Sequence, residues 1–455
     1  MKRFVTTTIL IAILTVALVI PASAAPSGKM IGINIVLNTD VTDTILADLG
    51  MRGKVRDVIY EIDALTMQIR ESELGVIRAL PYVAAANPDA ERNAAPIDAV
   101  AAEDFLGGMN TWDLDAVNVT DFGAGRVEMY DGTGVYVAVL DTGLVDVWRG
   151  FFPQERIAEE YAKSFGGGGG EMGNVSEQPN KWEHDQNSHG THVTSTILGY
   201  SLNGAPINGV APMATVIPVK VLNQNGSGWS SVIARGIVYI ADLKAGPLAD
   251  YPVVINMSLG GSVLDAVERA AIDYAIGKGV IIVASAGNAG DAGMGYPGAY
   301  EPVISVAASG WVGEWSVAGS WWRTLDVPDP TDADDFYITD FSSRAKAGQD
   351  LDVAAPGSWI VGPYKVNSGM SLSYYYLGGT SMASPHVAGI VALMAQKNPG
   401  LTAPQAETYL TGSAIPLAPG CRNVMQPAGM ETICWGADAT GAGLVTADAA
   451  LTATP

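Results

Sequence analysis

Cysteine, histidine and basic charge are all scarce in this chain of 455 residues. Its two cysteines, Cys421 and Cys434, lie close together with no histidine nearby, too few ligands for a structural zinc site. Lys and Arg number 25 against 47 Asp and Glu, a formal net charge of −22. Phosphate backbones need clustered cations, so nucleic acid is not an expected partner. Long apolar runs are rare too. The one of membrane-like character opens the chain: "MKRF" supplies positive charge, "TTTILIAILTVALVI" the apolar stretch, and "PASAAP" small residues around a cut after Ala24. That is the layout of a secretory signal, residues 1–24, and no second run of membrane length follows it. The protein is therefore read as secreted, with no membrane attachment once the signal is cut. In that oxidising setting two nearby cysteines pair, and a Cys421–Cys434 disulfide is expected.

After the signal, "IGINIVL" reads as a strand, "VTDTILADLG" as a helix closed by Gly50, "VRDVIYEI" as a strand, "ESELGVIRAL" as a helix and "YVAAA" as a short strand. This β-α-β-α-β order predicts a small α+β unit with its own core. The following "NPDAERNAAPIDAVAAED" is rich in Ala, Pro and acid without periodicity, and reads as a linker. From about residue 110 the texture changes. "VYVAVLD", "TVIPVKVL", "VVINMSLG", "VIIVASAGN", "VISVAAS" and "LDVAAPG" are apolar on both faces, as parallel strands buried between helix layers are. "SSVIARGIVYIADL" and "VLDAVERAAIDYAIGKG" alternate with them as amphipathic helices. The fold class is α/β, a mostly parallel doubly wound sheet with helices on both faces. Ligands in such sheets sit at the carboxyl ends of the strands.

At those ends stand Asp141, closing "VYVAVLD", and Asn288, following "VIIVASAG". His189 opens a helix in "EHDQNSHGTHVTSTILG", and Ser381 opens another in "GTSMASPHVAG". Each has a bland reading: Asp141 as a turn cap, Asn288 as a left-handed turn residue, Ser381 as a helix N-cap. His184, His189 and His192 lack the His-Glu-x-x-His spacing of a zinc protease. Together, an acid, an imidazole and a hydroxyl at one edge of one sheet fit nucleophilic catalysis. The Asp holds the tautomer, the His takes the hydroxyl proton and the Ser attacks a carbonyl.

The order Asp, His, Ser in "VLDTG", "HGTH" and "GTSMASPHVAG" resembles the subtilisin-like serine proteases over essentially residues 110–450. The resemblance implies a catalytic triad of Asp141, His189 and Ser381. The Asn288 side chain and the Ser381 N–H would form the oxyanion hole. It implies two edges that hold a peptide as an added strand, Ser258, Leu259 and Gly260 on one side and Gly226, Ser227 and Gly228 on the other, with Gly295 at the base of an uncharged pocket. Residues 25–106 would be an inhibitory propeptide and 107–455 the peptidase domain, with a Trp- and Asp-rich insertion near 310–340. The implied activity is a secreted serine endopeptidase with apolar preference that processes its own propeptide. Its partners are polypeptide substrates and that propeptide, and it is read as a monomer. The chemistry requires no cofactor. Structural calcium is an option without assigned ligands, because Gly150 stands where many members carry an acidic ligand. Ser188 replaces a usual glycine before the histidine, which a small side chain is expected to tolerate. His386, on the helix of Ser381, is read as packed and structural. Two rivals are argued against: a non-catalytic peptide-binding homologue, since no catalytic position is replaced, and an esterase, which would need a Gly-x-Ser-x-Gly elbow and the order Ser, acid, His, neither of which is present.

Overall fold

Alternation organises the first unit. In β1 (Met30–Leu37), Ile33, Ile35 and Leu37 face a small core, while the buried Asn34 faces the rest of the molecule. The structure, a computed structural model, describes residues 28–101, 110–122, 125–165, 175–178, 180–202, 204–317, 319–365 and 373–455. The signal stretch and the boundary expected at 106 lie outside the described residues. Helix α1 (Asp43–Gly50), capped by Thr42, is followed by β2 (Gly53–Ile59), β3 (Ala64–Arg70), α2 (Leu74–Arg78) and β4 (Val83–Pro88). The antiparallel sheet runs β2-β3-β1-β4. The sequence reading lacks β3. A left-handed Asp63, with no glycine or proline beside it, turns the chain between β2 and β3 and leaves no conspicuous breaker.

The expected linker is not a linker. Within it β5 (Glu91–Asn93) and β6 (Asp98–Ala101) each pair with a strand of the main body. Short strands that borrow partners one at a time carry no periodicity, which is why the segment looks structureless in sequence.

The main sheet contains β7 (Tyr136–Asp141), β8 (Lys163–Ser164), β9 (Thr215–Lys220), β11 (Val253–Met257), β12 (Val280–Ser285), β13 (Ile304–Trp311), β14 (Phe336–Ile338) and β15 (Val353–Pro356); β10 is the edge Ser227–Trp229. Its order is β8-β9-β7-β11-β12-β13-β14, with β15 also on β13, and all pairings are parallel except β13 with β14. Helices α3 (His189–Leu198) and α6 (Thr380–Lys397) cover one face, α4 (Ser230–Ala245) and α5 (Ala266–Gly277) the other. Val137 and Val139 of β7 enter the first core and Ala138 and Leu140 the second, so the strand is apolar throughout. The strand order reverses at β7, which puts Asp141 at the topological switch point.

The insertion packs inward. Trp311, Trp321 and Trp322 are buried, and Trp321 stacks on Tyr376 of β17 (Ser373–Gly378), which pairs with β16 (Ile360–Tyr364). Cys421 and Cys434 are joined across the hairpin β18 (Gly420–Gln426) and β19 (Gly429–Trp435).

Candidate active site

Asp141 ends β7 with its carboxylate fully buried, and the Thr142 N–H donates to it at 2.6 Å. His189 opens α3, and its Nδ1 lies 2.9 Å from both carboxylate oxygens of Asp141. That contact fixes the ring and leaves Nε2 as the atom able to take a proton; among the described residues Nε2 has no partner. The turn before the helix is held by Asp185, which sequence reasoning passed over. It accepts the N–H groups of Asn187 and Ser188 at 2.8 and 2.6 Å and the Thr142 hydroxyl at 2.7 Å. The buried Lys220, beside Asp141 in register, donates to the Thr142 carbonyl and lies 3.8 Å from Asp185. Burial pushes the Asp185 carboxyl up and the Lys220 ammonium down, and their mutual attraction opposes both shifts. The signal available in sequence was an acid three residues before Ser188 in a helix-opening turn.

Ser188 has φ 75°, in the left-handed region. The expectation that a small residue suffices there is corrected on its reason. The demand is on the backbone torsion, not on side-chain size, and glycine meets it without strain.

Ser381 occupies the first turn of α6. Its hydroxyl donates to the Ser258 carbonyl at 3.2 Å and not to His189, so the two must meet by rotation about the Ser381 side chain. The Ser258 hydroxyl in turn donates to the Ser381 carbonyl at 2.8 Å and accepts from Asn256 at 3.1 Å. Ser384 donates to the same Asn256 at 2.7 Å, so one buried lattice ties the end of β11 to α6. Neither Asn256 nor Ser384 was singled out in the sequence.

Asn288 is oriented by its amide oxygen, which accepts from the Thr380 N–H at 2.9 Å and the Thr380 hydroxyl at 2.8 Å. Its NH2 group is thereby turned away, toward Gly379 beside Ser381. Gly287, at φ +101°, donates to Thr380 at 3.1 Å, and a side chain there would press on Ser343 and Gly295. A cavity of about 430 Å³ opens beside Ser381 and Asn288; Leu259, Gly260, Met294 and Gly295 line it, and among the described residues no charged one does. Asp291, whose carboxylate could pair a basic side chain, does not line it.

Both expected edges are occupied by the chain itself. Asn93 exchanges two backbone hydrogen bonds with Gly260, each 3.0 Å, and Ala94 donates to Gly226 at 2.8 Å. Ser227 and Gly228 of β10 pair with Asn93 and Arg92. Beyond Ser381 the Ile97 N–H donates to the Gly378 carbonyl at 2.7 Å. Ala95 and Ile97 line the cavity between.

The remaining histidines stand apart. His386 bridges the Met382 carbonyl (2.8 Å) and Asp113 (3.0 Å) as a packed residue. His192 donates from Nε2 to the Ile360 carbonyl, burial pushes it down to about 3, and it stays neutral. In the insertion Asp329 and Asp332 accept from Thr331 and Asp334 in turns, and Asp334 pairs with Arg422. The acidic group that does converge is Asp350, Asp352 and Glu407. Asp352 already accepts the Ser305 N–H and hydroxyl at 2.7 and 2.8 Å, and burial pushes Asp352 up to about 6 and Glu407 to about 7.

Thermitase of Thermoactinomyces vulgaris is 34% identical over 270 residues, 59% of this chain and 78% of that protein. Subtilisin DY of Bacillus licheniformis is 32% identical over 296 residues, 64% of this chain and 88% of the relative. Among solved structures, fervidolysin of Fervidobacterium pennivorans, a keratinolytic enzyme related to subtilisin, superposes with TM-score 0.65 at 24% identity. That match covers 93% of this chain and 61% of fervidolysin, and it speaks for the fold. The subtilase family pattern spans residues 132–442, which takes in Asp141, His189, Asn288, Ser381 and the two edges 226–228 and 258–260; the chain belongs to the subtilase family and is a serine-type endopeptidase.

Proposed function

We propose that the protein is a secreted endopeptidase that cuts peptide bonds through an acyl-enzyme on Ser381 and is held inactive, until self-processing, by residues 25 to about 106. The observation that carries this is the seating of 91–97 along both edges of the cleft, with Ser381 between them. An extended peptide bound as an added strand receives main-chain hydrogen bonds whatever its sequence, while pockets select side chains. The uncharged cavity lined by Met294 and Gly295 favours an apolar residue before the cut bond, since a basic one would need a buried carboxylate there.

In the reaction the Ser381 hydroxyl turns from Ser258 to His189 Nε2 and gives up its proton as Oγ attacks the carbonyl. Asp141 steadies the imidazolium at Nδ1. The oxyanion forms against the Asn288 NH2 and the Ser381 N–H, where the first turn of α6 also offers its dipole. His189 then returns the proton to the leaving amine, and water releases the acyl group by the same steps.

The test is Ser381→Ala in the full precursor. It should retain residues 25 to about 106 and digest no casein, while Asn288→Ala should mature and turn over about 10²–10³-fold more slowly. Normal processing of purified Ser381→Ala, with no other protease present, would remove both the nucleophile assignment and the self-cleavage.

A further inference from the structure

The residue next to the cleft strand Asn93 is an arginine buried without trace of solvent. Arg92 grips Glu268 of α5 through both ends of its guanidinium, with Nε 3.0 Å from one carboxylate oxygen and a terminal nitrogen on the other. The same nitrogen donates to the Val263 carbonyl at 3.1 Å, and the other to the Glu91 carbonyl at 3.0 Å. Glu268 is itself fully buried, and Asp265 lies close enough to add to the field at Arg92. Gly261 permits the approach: a Cβ there would sit 2.3 Å from the Glu91 carbonyl oxygen and 2.9 Å from the guanidinium.

The register says what this pocket is for. Asn93 is anchored on Gly260, Ala94 on Gly226 and Ile97 on Gly378, so the bond lying between the two edges is Ala95–Pro96; it falls upstream of the boundary near 106 and gives the register of a bound peptide, not the maturation cut. Arg92 is the third residue upstream of Ala95. We propose that Glu268 lines a substrate subsite and gives the mature enzyme a preference for arginine three residues upstream of the residue whose bond is cut. This rests on the endopeptidase reading above and adds to it a second, charged selection beside the apolar one. Asp89 leaves with the N-terminal unit, and Asp265, which accepts no hydrogen bond from Arg92, keeps one oxygen on the N–H groups of Val267 and Glu268 and loses Asn34 and Asn87 from the other. Glu268 is the carboxylate that stays behind on the cleft wall with its cation gone. A bidentate guanidinium satisfies both of its oxygens at once, which a lysine or an apolar side chain does not.

The experiment uses the purified mature enzyme and three internally quenched peptides differing only at one position, Xaa-Asn-Ala-Ala-Ser-Ile with Xaa Arg, Leu or Glu. Serine replaces Pro96 on the leaving side, so that the bond broken is an ordinary secondary amide. The Arg peptide should exceed the Leu peptide about tenfold or more in kcat/KM, the scale of a charge-assisted paired contact, and the Glu peptide should be the poorest. Glu268→Gln should shrink the Arg advantage to about threefold or less while leaving the cut after the second Ala unchanged. Equal rates on Arg and Leu peptides, with casein still digested, would overturn the proposal alone and reduce the Arg92–Glu268 contact to a clasp of the N-terminal unit. An Arg preference that survives in Glu268→Gln would overturn it as well. If the wild type digests neither peptides nor casein, the endopeptidase reading falls with it.

Discussion

The sheet of the peptidase domain and the face that receives the N-terminal unit differ in how much of their contact is polar. Between the sheet and its helices the contacts are aliphatic: Ile255, Ile282, Ile237 and Val267 are fully buried on one side alone. Between the N-terminal unit and helices α4 and α5, Ile59 and Ala64 join the aliphatic cluster, and a set of polar contacts stands beside them. Asn34 donates across the boundary to Ser230 and Asp265 at 3.1 and 2.8 Å, Asn87 donates to Asp265 at 2.7 Å, and the half-buried Arg235 pairs with Asp57 at 2.8 Å. An aliphatic interface loses roughly 25 cal/mol for each Å² returned to water, whereas polar groups exchange partners with water at much smaller net cost. The first kind of contact is suited to permanence. The second suits a unit that folds around its own small core, docks in a defined register and, on the function proposed above, later leaves.

Two substitutions break the comparison in opposite ways, and both are best made in the Ser381→Ala background. Ile255→Ala removes aliphatic bulk from the centre of β11 and should lower global stability by about 2–5 kcal/mol. Denaturant midpoints should shift, and hydrogen exchange should accelerate in the whole peptidase domain. Asp89→Ala acts at the docking face only. Its carboxylate accepts the Ser231 N–H at 3.1 Å and the Ser231 hydroxyl at 2.6 Å, and so caps α4 from outside the domain. Loss of such a cap costs about 1 kcal/mol, or roughly fivefold faster exchange, here confined to β1 and the first turn of α4. If Asp89→Ala loosens the central strands as much as Ile255→Ala does, the two regions are one cooperative body and the distinction fails.

The same contrast explains what was legible in the sequence. Strands apolar on both faces, such as Val253–Met257, declare themselves, because burial on two sides requires it. Asp141 and Asn288 stand out in the sequence where such strands end, and His189 and Ser381 where polar, glycine-containing stretches open the helices that follow. The docking face was not visible. Glu268 beside Arg269 looks like the wet side of an amphipathic helix, and only the passage of Arg92 over it makes it interior. Residues 91–97 lacked a pattern because their partners belong to two separate edges. Asp185 and Lys220 were missed for a related reason: one charge in a turn and one at a strand end meet only when β7 and β9 lie side by side.

The smallest expected effect lies at Ser188, where the peptidase domain holds a strained torsion next to its histidine. Replacing the residue does two separable things. The Ser188 hydroxyl accepts the Lys365 N–H at 3.0 Å and donates to the Asn187 carbonyl, and both bonds are lost with either Ala or Gly. The φ of 75° is retained as strain by Ala and relieved by Gly. The difference between Ser188→Ala and Ser188→Gly therefore isolates the backbone contribution, reduced by the larger entropy that Gly gains in the unfolded chain. Gly should be more stable than Ala by about 1 kcal/mol or slightly less, read as the separation of their denaturant midpoints at equal slope. Against the wild type, Gly should come out within about 1 kcal/mol either way, because the strain relieved and the hydrogen bonds lost are of similar size. Coincident midpoints for Ala and Gly would mean that the turn before His189 relaxes when the hydroxyl is removed. Asp185, which holds the Asn187 and Ser188 N–H groups, would then not suffice to hold the left-handed torsion that leads into the catalytic helix.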